Sequence, residues 1–330
     1  MSFPRATLRT HRVIRTIASL VIIASVFVAW RFVNFSAIFD AINAQGYDPS
    51  QELAEIIKNL RLTPTGDRIM RGTRADLQDA DAFNESCKSH NDTTILLGCY
   101  ANGRIFVYNI NDHDLRGVRE ATLAHELLHA AWGRMTDQQK EAIRPSLYKV
   151  YEENEDLRKH LKLYESTEFY DELHSIVGAQ IESEKMPEDL RTHYAVYFTD
   201  QNLIANYYHK YNDNLVKTEK RLTELEQLIE STKTAIEERE TKYNLTNEQL
   251  SKDIADFNSR VEKGLISYDE YEKQREDLVR RQNAMKTEYA EIQKQLTEYN
   301  TYVVEYNQYV VFTEKVYNSM NSRAEKPATN

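Results

Sequence analysis

No proline occurs between Pro187 and Pro327, and after Gly178 the only glycine is Gly264. Proline removes a helical hydrogen bond and glycine loosens the backbone, so a stretch this long without either breaker reads as helix. Its richness in Glu, Lys, Gln, Tyr and Leu suits a long helix or coiled coil. Heptad spacing links Leu215, Leu222, Leu225, Ile229, Thr232, Ile236, Tyr243, Leu250 and Phe257. It resumes at Leu278, Met285, Tyr289, Ile292, Leu296, Tyr299, Val303, Tyr306, Val310 and Tyr317, mostly in steps of three and four. Gly264 divides the stretch into two nearly equal arms. The run KGLIS reads as a C-cap and turn, and Ser267 with Glu270 as a capping box for the second arm. Equal arms about one short turn favour an antiparallel coiled-coil hairpin over residues 205–322, roughly 85 Å long at 1.5 Å per residue. Pairing between chains into a dimer is the alternative. Tyrosines at core positions imply an irregular seam, or a stripe that receives a partner protein.

The opposite end of the chain is basic and then apolar. Residues 1–15 carry Arg5, Arg9, Arg12 and Arg15 and no acid, and an apolar run from Thr16 to Phe39 follows, interrupted by Arg31. That length would span a bilayer, and an off-centre arginine could snorkel. The expectation is a transmembrane anchor at 16–39, preferred over a cleaved signal peptide because the apolar core is long and no small-x-small site follows it closely. The positive-inside rule then makes residues 1–15 cytoplasmic and places the rest outside a cell membrane in single-pass topology. The two cysteines, Cys87 and Cys99, flank a short polar loop and could form one disulfide in such a compartment. Net charge is −10, from 42 basic and 52 acidic residues, so there is no basic footprint for nucleic acid. Residues 323–330 read as a disordered tail.

Between these two parts lies the segment TLAHELLHAAW, whose His125-Glu126-Leu127-Leu128-His129 is an H-E-x-x-H motif. On a helix, positions i and i+4 share a face, so both imidazoles can reach one metal ion. Glu126 can reach a water on that metal, the arrangement of a zinc-dependent hydrolase with the glutamate as general base. Leu123, Leu127, Leu128 and Ala131 give the helix apolar faces on either side of the polar trio, and polar groups buried there need a purpose. A catalytic zinc takes three protein ligands and leaves one position open. The extended form H-E-x-x-H-x-x-G-x-x-H is excluded, because Trp132 and Met135 occupy its last two positions. A later helix, STEFYDELHSIVGAQ (Ser166 to Gln180), offers Glu172 inside an apolar stripe of Phe169, Leu173, Ile176 and Val177. Ser166 would cap that helix. Glu172 is the preferred third ligand and His174 the runner-up, while Glu165 and Glu168 read as solvated charges.

At these residues the chain, over roughly 50–200, resembles the zincin metallopeptidases of the gluzincin type. In that family the H-E-x-x-H helix supplies two ligands and a downstream helix a glutamate. Its Asn-Glu pair reads Asp171-Glu172 here, and the aspartate that some members place four residues after the ligand is Ile176. The resemblance implies a sheet ahead of the active helix whose edge binds an extended peptide. TILLGCY and RIFVYNI, joined at Ala101-Asn102-Gly103, form the matching hairpin signal, and a helix is expected to start near Leu115. Donors for a developing oxyanion are sought among Tyr170, His174, His193 and Tyr194. His90, His113, His160 and His209 read as surface residues.

The expected architecture is therefore an α+β zincin-like domain over 45–200, with a small antiparallel sheet and active-site helices, followed by the helical hairpin. The expected activity is hydrolysis of a protein or peptide substrate with a Zn2+ cofactor. The rival is a cell-envelope scaffold or binding protein whose hairpin, through a partner protein or self-association, is the working part.

Overall fold

The structure is a computed structural model in which residues 35–88, 95–162 and 168–323 are described. It is mostly helical, with one three-stranded sheet and two long C-terminal helices. The chain divides into two compact units. One holds Arg116–His209 with the described part of Met1–Asn111 and the end from Ser322; the other holds Asp112–Leu115 with Lys210–Asn321.

In the first unit, short helices α1 (Phe35–Asn43), α2 (Gln51–Asn59) and α3 (Pro64–Gly72) precede the sheet. Their starts are written in the sequence: the Ser50 and Thr63 side chains accept from the N–H of Leu53 and Gly66, and Pro64 sits in the first turn of α3. Strand β1 (Asp76–Gln78), helix α4 (Ala80–Ser86), and strands β2 (Gly98–Ala101) and β3 (Arg104–Tyr108) follow. The hairpin turn falls at Asn102 and Gly103, both with positive φ (53° and 77°), as an Asn-Gly turn requires. Strand order is β1-β3-β2. β2 pairs antiparallel with β3, but β1 pairs with β3 in parallel, Asp76 opposite Phe106. The sheet is thus mixed rather than antiparallel throughout. A strand of three half-buried residues has too little alternation to announce itself.

Helix α5 (Val118–Trp132) is the centre of this unit. It starts three residues after Leu115, which closes a 3-10 turn, because Gly117 takes φ 98°. A Cβ there would lie 2.6 Å from the carbonyl oxygen of Tyr207, so only glycine fits. α5 packs on β2 and β3 on one side and on α8 (Phe169–Gln180) on another, with α6 (Asp137–Glu153), α7 (Glu155–Leu161) and α9 (Glu188–Tyr194) around them. Leu123, Ala124, Leu127, Leu128 and Ala130 are fully enclosed, joined in one core by Leu173, Val177 and Tyr194. Gly178 lets α8 approach, since a Cβ at that position would stand 2.5 Å from Leu128 Cδ1 and 2.4 Å from Tyr194 Cε1. The Ser166 cap, with Glu165 and His90, lies outside the described residues. Cys87, at the end of α4, and Cys99 of β2 form the disulfide.

The membrane anchor is corrected. No helix among the described residues is long and apolar enough to cross a membrane. Residues 1–34, most of the expected anchor, lie outside the described residues. Its described part, residues 35–39, lies in α1, a nine-residue helix that joins the first unit. Asp40 is 1% exposed and paired with Arg68 and Arg134, so the end of the apolar run is tied to protein. The single-pass cell-membrane placement built on that anchor falls with it.

The second unit contains most of α10 (Gln201–Glu262) and α11 (Tyr268–Met320). The helices run antiparallel: Arg221 pairs with Glu305, Arg281 with Asp253 and Arg260 with Glu270. Between them lie Gly264 (φ 65°) and the paired bonds Leu265 N–H to Arg260 O and Gly264 N–H to Val261 O, which close α10. Ser267 caps α11, while Glu270 turns to Arg260 and Gln274 instead of completing a box. Leu225, Ile236, Leu250, Phe257, Met285 and Ile292 fill the seam. Near the C-terminal end the heptad reading slips by one: Val316 is buried and Tyr317 is half exposed.

Candidate metal centre

Helix α5 carries His125 and His129 one turn apart, and α8 brings Glu172 against them. One ligand atom from each of the three lies within 4.8 Å of the others. His129 Nε2 is 3.0 Å from His125 Nε2 and 3.3 Å from Glu172 Oε2, and His125 Nε2 is 3.6 Å from Glu172 Oε1. Ligands about 2.0–2.1 Å from one tetrahedral ion stand about 3.4 Å from each other, so these separations suit a shared small cation. Two imidazoles and a carboxylate are also the donor set that zinc favours.

His129 is oriented from behind. Its Nδ1 is 2.8 Å from Asp171 Oδ1, so the ring donates there and, when an ion displaces the Nε2 proton, would offer its Nε2 lone pair to the centre. In the sequence Asp171 stands out only as the neighbour of Glu172. Its position next to Glu172 was visible, but its reach to a histidine on another helix depends on how α8 crosses α5.

The centre opens into a cleft of about 290 Å³, lined by Leu96, Gly98, Cys99, Tyr100, His125, Glu126, His129, Glu168, Asp171 and Glu172. Glu126 is 6% exposed and outside the ligand trio. Burial raises its carboxyl to about 7, against the pull of His129 and of the Tyr100 backbone. Burial lowers His125 to about 4. His129 goes the other way: burial opposes its charge, but the bonds to Asp171 and Glu172 prevail and hold it well above the usual histidine range. Glu172 is likewise resisted by burial yet held at about 2 by His125 and His129. Among the lining residues the acids have no lysine or arginine to balance them, a cleft suited to a cation.

Gly98 brings β2 this close. A Cβ there would lie 2.6 Å from Thr122 Cγ2 and 2.9 Å from Glu126 Oε1. No local sequence signal marks this glycine, because the contact is with another element.

Other sequence candidates lie elsewhere. His174 is fully enclosed with its Nε2 2.8 Å from His193 Nε2 and its ring 5.1 Å from that of Trp132. Two residues from Glu172 on a helix is nearly the opposite face, so it does not join the trio. Of the four proposed oxyanion donors none lines the cleft. Tyr194 donates to the carbonyl of His174, and Tyr170 packs against Phe169 under the Arg144 guanidinium. His113 and His160 are exposed as expected, whereas His209 is half buried beside Glu182. Glu168 is exposed but stands at the cleft mouth.

No known family model, curated protein or solved structure matches this chain.

Proposed function

We propose that the protein is a zinc-dependent metallopeptidase in which His125, His129 and Glu172 hold the ion and Glu126 is the general base. The carrying observation is the convergence of two imidazole Nε2 atoms and a carboxylate beside a buried fourth group, Glu126, that belongs to no ligand set. When bound, zinc would supply a Lewis acid that polarises a peptide carbonyl and acidifies a water. Glu126 would take the proton of the attacking water on its carboxylate and return it to the leaving amine. A carboxyl whose burial favours the neutral form is suited to that task. With the ion bound, Asp171 would keep His129 in the tautomer that presents Nε2. β2 is an edge strand and walls the cleft, so an extended peptide could pair with it and lie across the centre.

The test is metal analysis with a peptidase assay. Glu126→Gln should retain zinc and lose turnover by about 10²–10⁴-fold. His129→Ala should lose the zinc, because two remaining ligands rarely hold it. An active wild type whose rate barely drops in Glu126→Gln would defeat the mechanism.

A second reading makes the helical hairpin the working part. It is favoured by Leu265 and Tyr268, which stand 66% and 76% exposed at the hairpin turn. A wild-type protein that binds zinc stoichiometrically and cleaves no peptide would support it.

A further inference from the structure

Asp40 is a carboxylate that the proposed chemistry does not use, yet it is 1% exposed in a protein whose other acids are mostly solvated. Burying a charge is costly unless it is fully paired. Asp40 is paired on both oxygens. Arg134 donates from Nε to Oδ1 and Oδ2 at 3.0 and 3.1 Å and from Nη2 to Oδ1 at 2.6 Å, and Arg68 donates to Oδ2 at 3.0 Å. The seat is shaped for it, since a Cβ on Gly72 would lie 2.5 Å from Asp40 Oδ1.

Arg134 stands two residues beyond the end of α5, and its Nη1 donates to the carbonyl of Ala130 at 2.7 Å and to the Tyr100 hydroxyl at 3.3 Å. Tyr100 lines the cleft with Glu126 and stands two residues along β2 from Gly98, which seats against Glu126. The cleft wall is therefore held at three consecutive residues by three devices. Gly98 is packed without a side chain on Glu126, Cys99 is bonded to Cys87, and Tyr100 is held by Arg134 and Asp40.

We infer that Asp40 and Arg134 are positioning residues that act through Tyr100 to hold β2 and the proposed base Glu126 in register, which makes α1 part of the catalytic apparatus. The inference rests on the reading of Glu126 as base. The other clamps differ in kind: the glycine is passive and the disulfide is covalent, whereas this one depends on a segment far away in sequence. A chain shortened past Asp40 would leave the Arg134 guanidinium half buried without its counter-charge.

The test uses the full chain with Tyr100→Phe, Asp40→Asn and the double variant. Tyr100→Phe deletes only the hydroxyl and keeps the test open if Asp40→Asn fails to fold. Each single variant should lower kcat about tenfold, the scale of one charge-assisted hydrogen bond, with KM and zinc content unchanged. If Asp40 acts through Tyr100, the double variant should fall no further than the worse single one; multiplied losses would overturn the linkage. A second readout needs neither metal nor substrate: hydrogen exchange at the amides of β2 in the metal-free protein should quicken about tenfold in both single variants. The amide of Val150 in α6 should not change. Wild-type exchange throughout β2 in both variants would overturn the inference whatever the activity. If exchange responds while the wild type cleaves no peptide, the metallopeptidase reading fails and the clamp stands.

Discussion

Adding one methyl group at Gly178 sets two known effects against each other. Alanine in place of a mid-helix glycine gains about 0.5–1 kcal/mol in helix propensity. Against this, the new Cβ would lie 2.4 Å from Tyr194 Cε1 and 2.5 Å from Leu128 Cδ1, about 1 Å inside ordinary contact. Neither neighbour can swing aside. Both are 0% exposed, and the Tyr194 hydroxyl is tied to the carbonyl of His174 at 2.8 Å. Overpacking of this kind costs about 1–3 kcal/mol. The clash should win by about 1–2 kcal/mol, which for a domain of this size lowers Tm by roughly 2–8 °C. The strain is relieved only by moving α8 away from α5, and Glu172 lies on α8 less than two turns away. Its 3.3 Å separation from His129 Nε2 should widen, so Gly178→Ala should also weaken zinc. Calorimetry of the metal-free protein reads the first effect and competition with a chromophoric chelator the second. An unchanged or higher Tm would mean that the helices have slack here and that helix propensity decides, which would refute the packing argument.

Asp171→Asn keeps the shape but removes the charge behind His129, and zinc affinity should fall about 10–100-fold in the same competition assay; unchanged affinity would remove Asp171 from the centre. Acid stability tests the His174–His193 pair. Burial lowers His193 to about 4, with Asp189 opposing, and lowers His174 well below the usual range. An unfolded histidine titrates near 6.5, so the unfolded chain binds these protons first. The stability contribution of His193 is complete above about 6.5 and is lost as pH falls toward 4, by up to about 3 kcal/mol. His125 has the same sign and His129 the opposite, so the informative quantity is the difference between wild type and His193→Gln. That variant should show a shallower fall in urea midpoint between pH 6.5 and 4 in metal-free protein. Parallel curves would place the loss elsewhere.

Two histidines four residues apart with a glutamate beside one of them meet on one helical face in any fold that makes the segment helical, because that geometry is local. The same holds for the Asn102-Gly103 turn and for the Gly264 break between two proline-free arms, where a few residues carry their own backbone preference. Glu172 was legible for a different reason: a carboxylate within an apolar stripe has to be paired. The amphipathic pattern failed at the start of the chain, where the apolar run ending at Phe39 read as a bilayer span. Hydrophobicity states that a segment avoids water and not which surface shelters it, and Asp40 meets Arg134 across 94 residues of sequence.

The remaining features required distances between elements. Asp171 behind His129, Gly98 beneath Glu126 and Arg134 joining Asp40 to Tyr100 each join residues from different helices or strands. The same applies to the parallel pairing of β1 and to the one-residue slip that buries Val316 in place of Tyr317. The sequence alone determined the elements and the chemistry available on each face, because those follow from local periodicity and side-chain type. Only the tertiary structure decided which faces meet and which residues support the centre, because crossing and register arise from packing summed over the whole core.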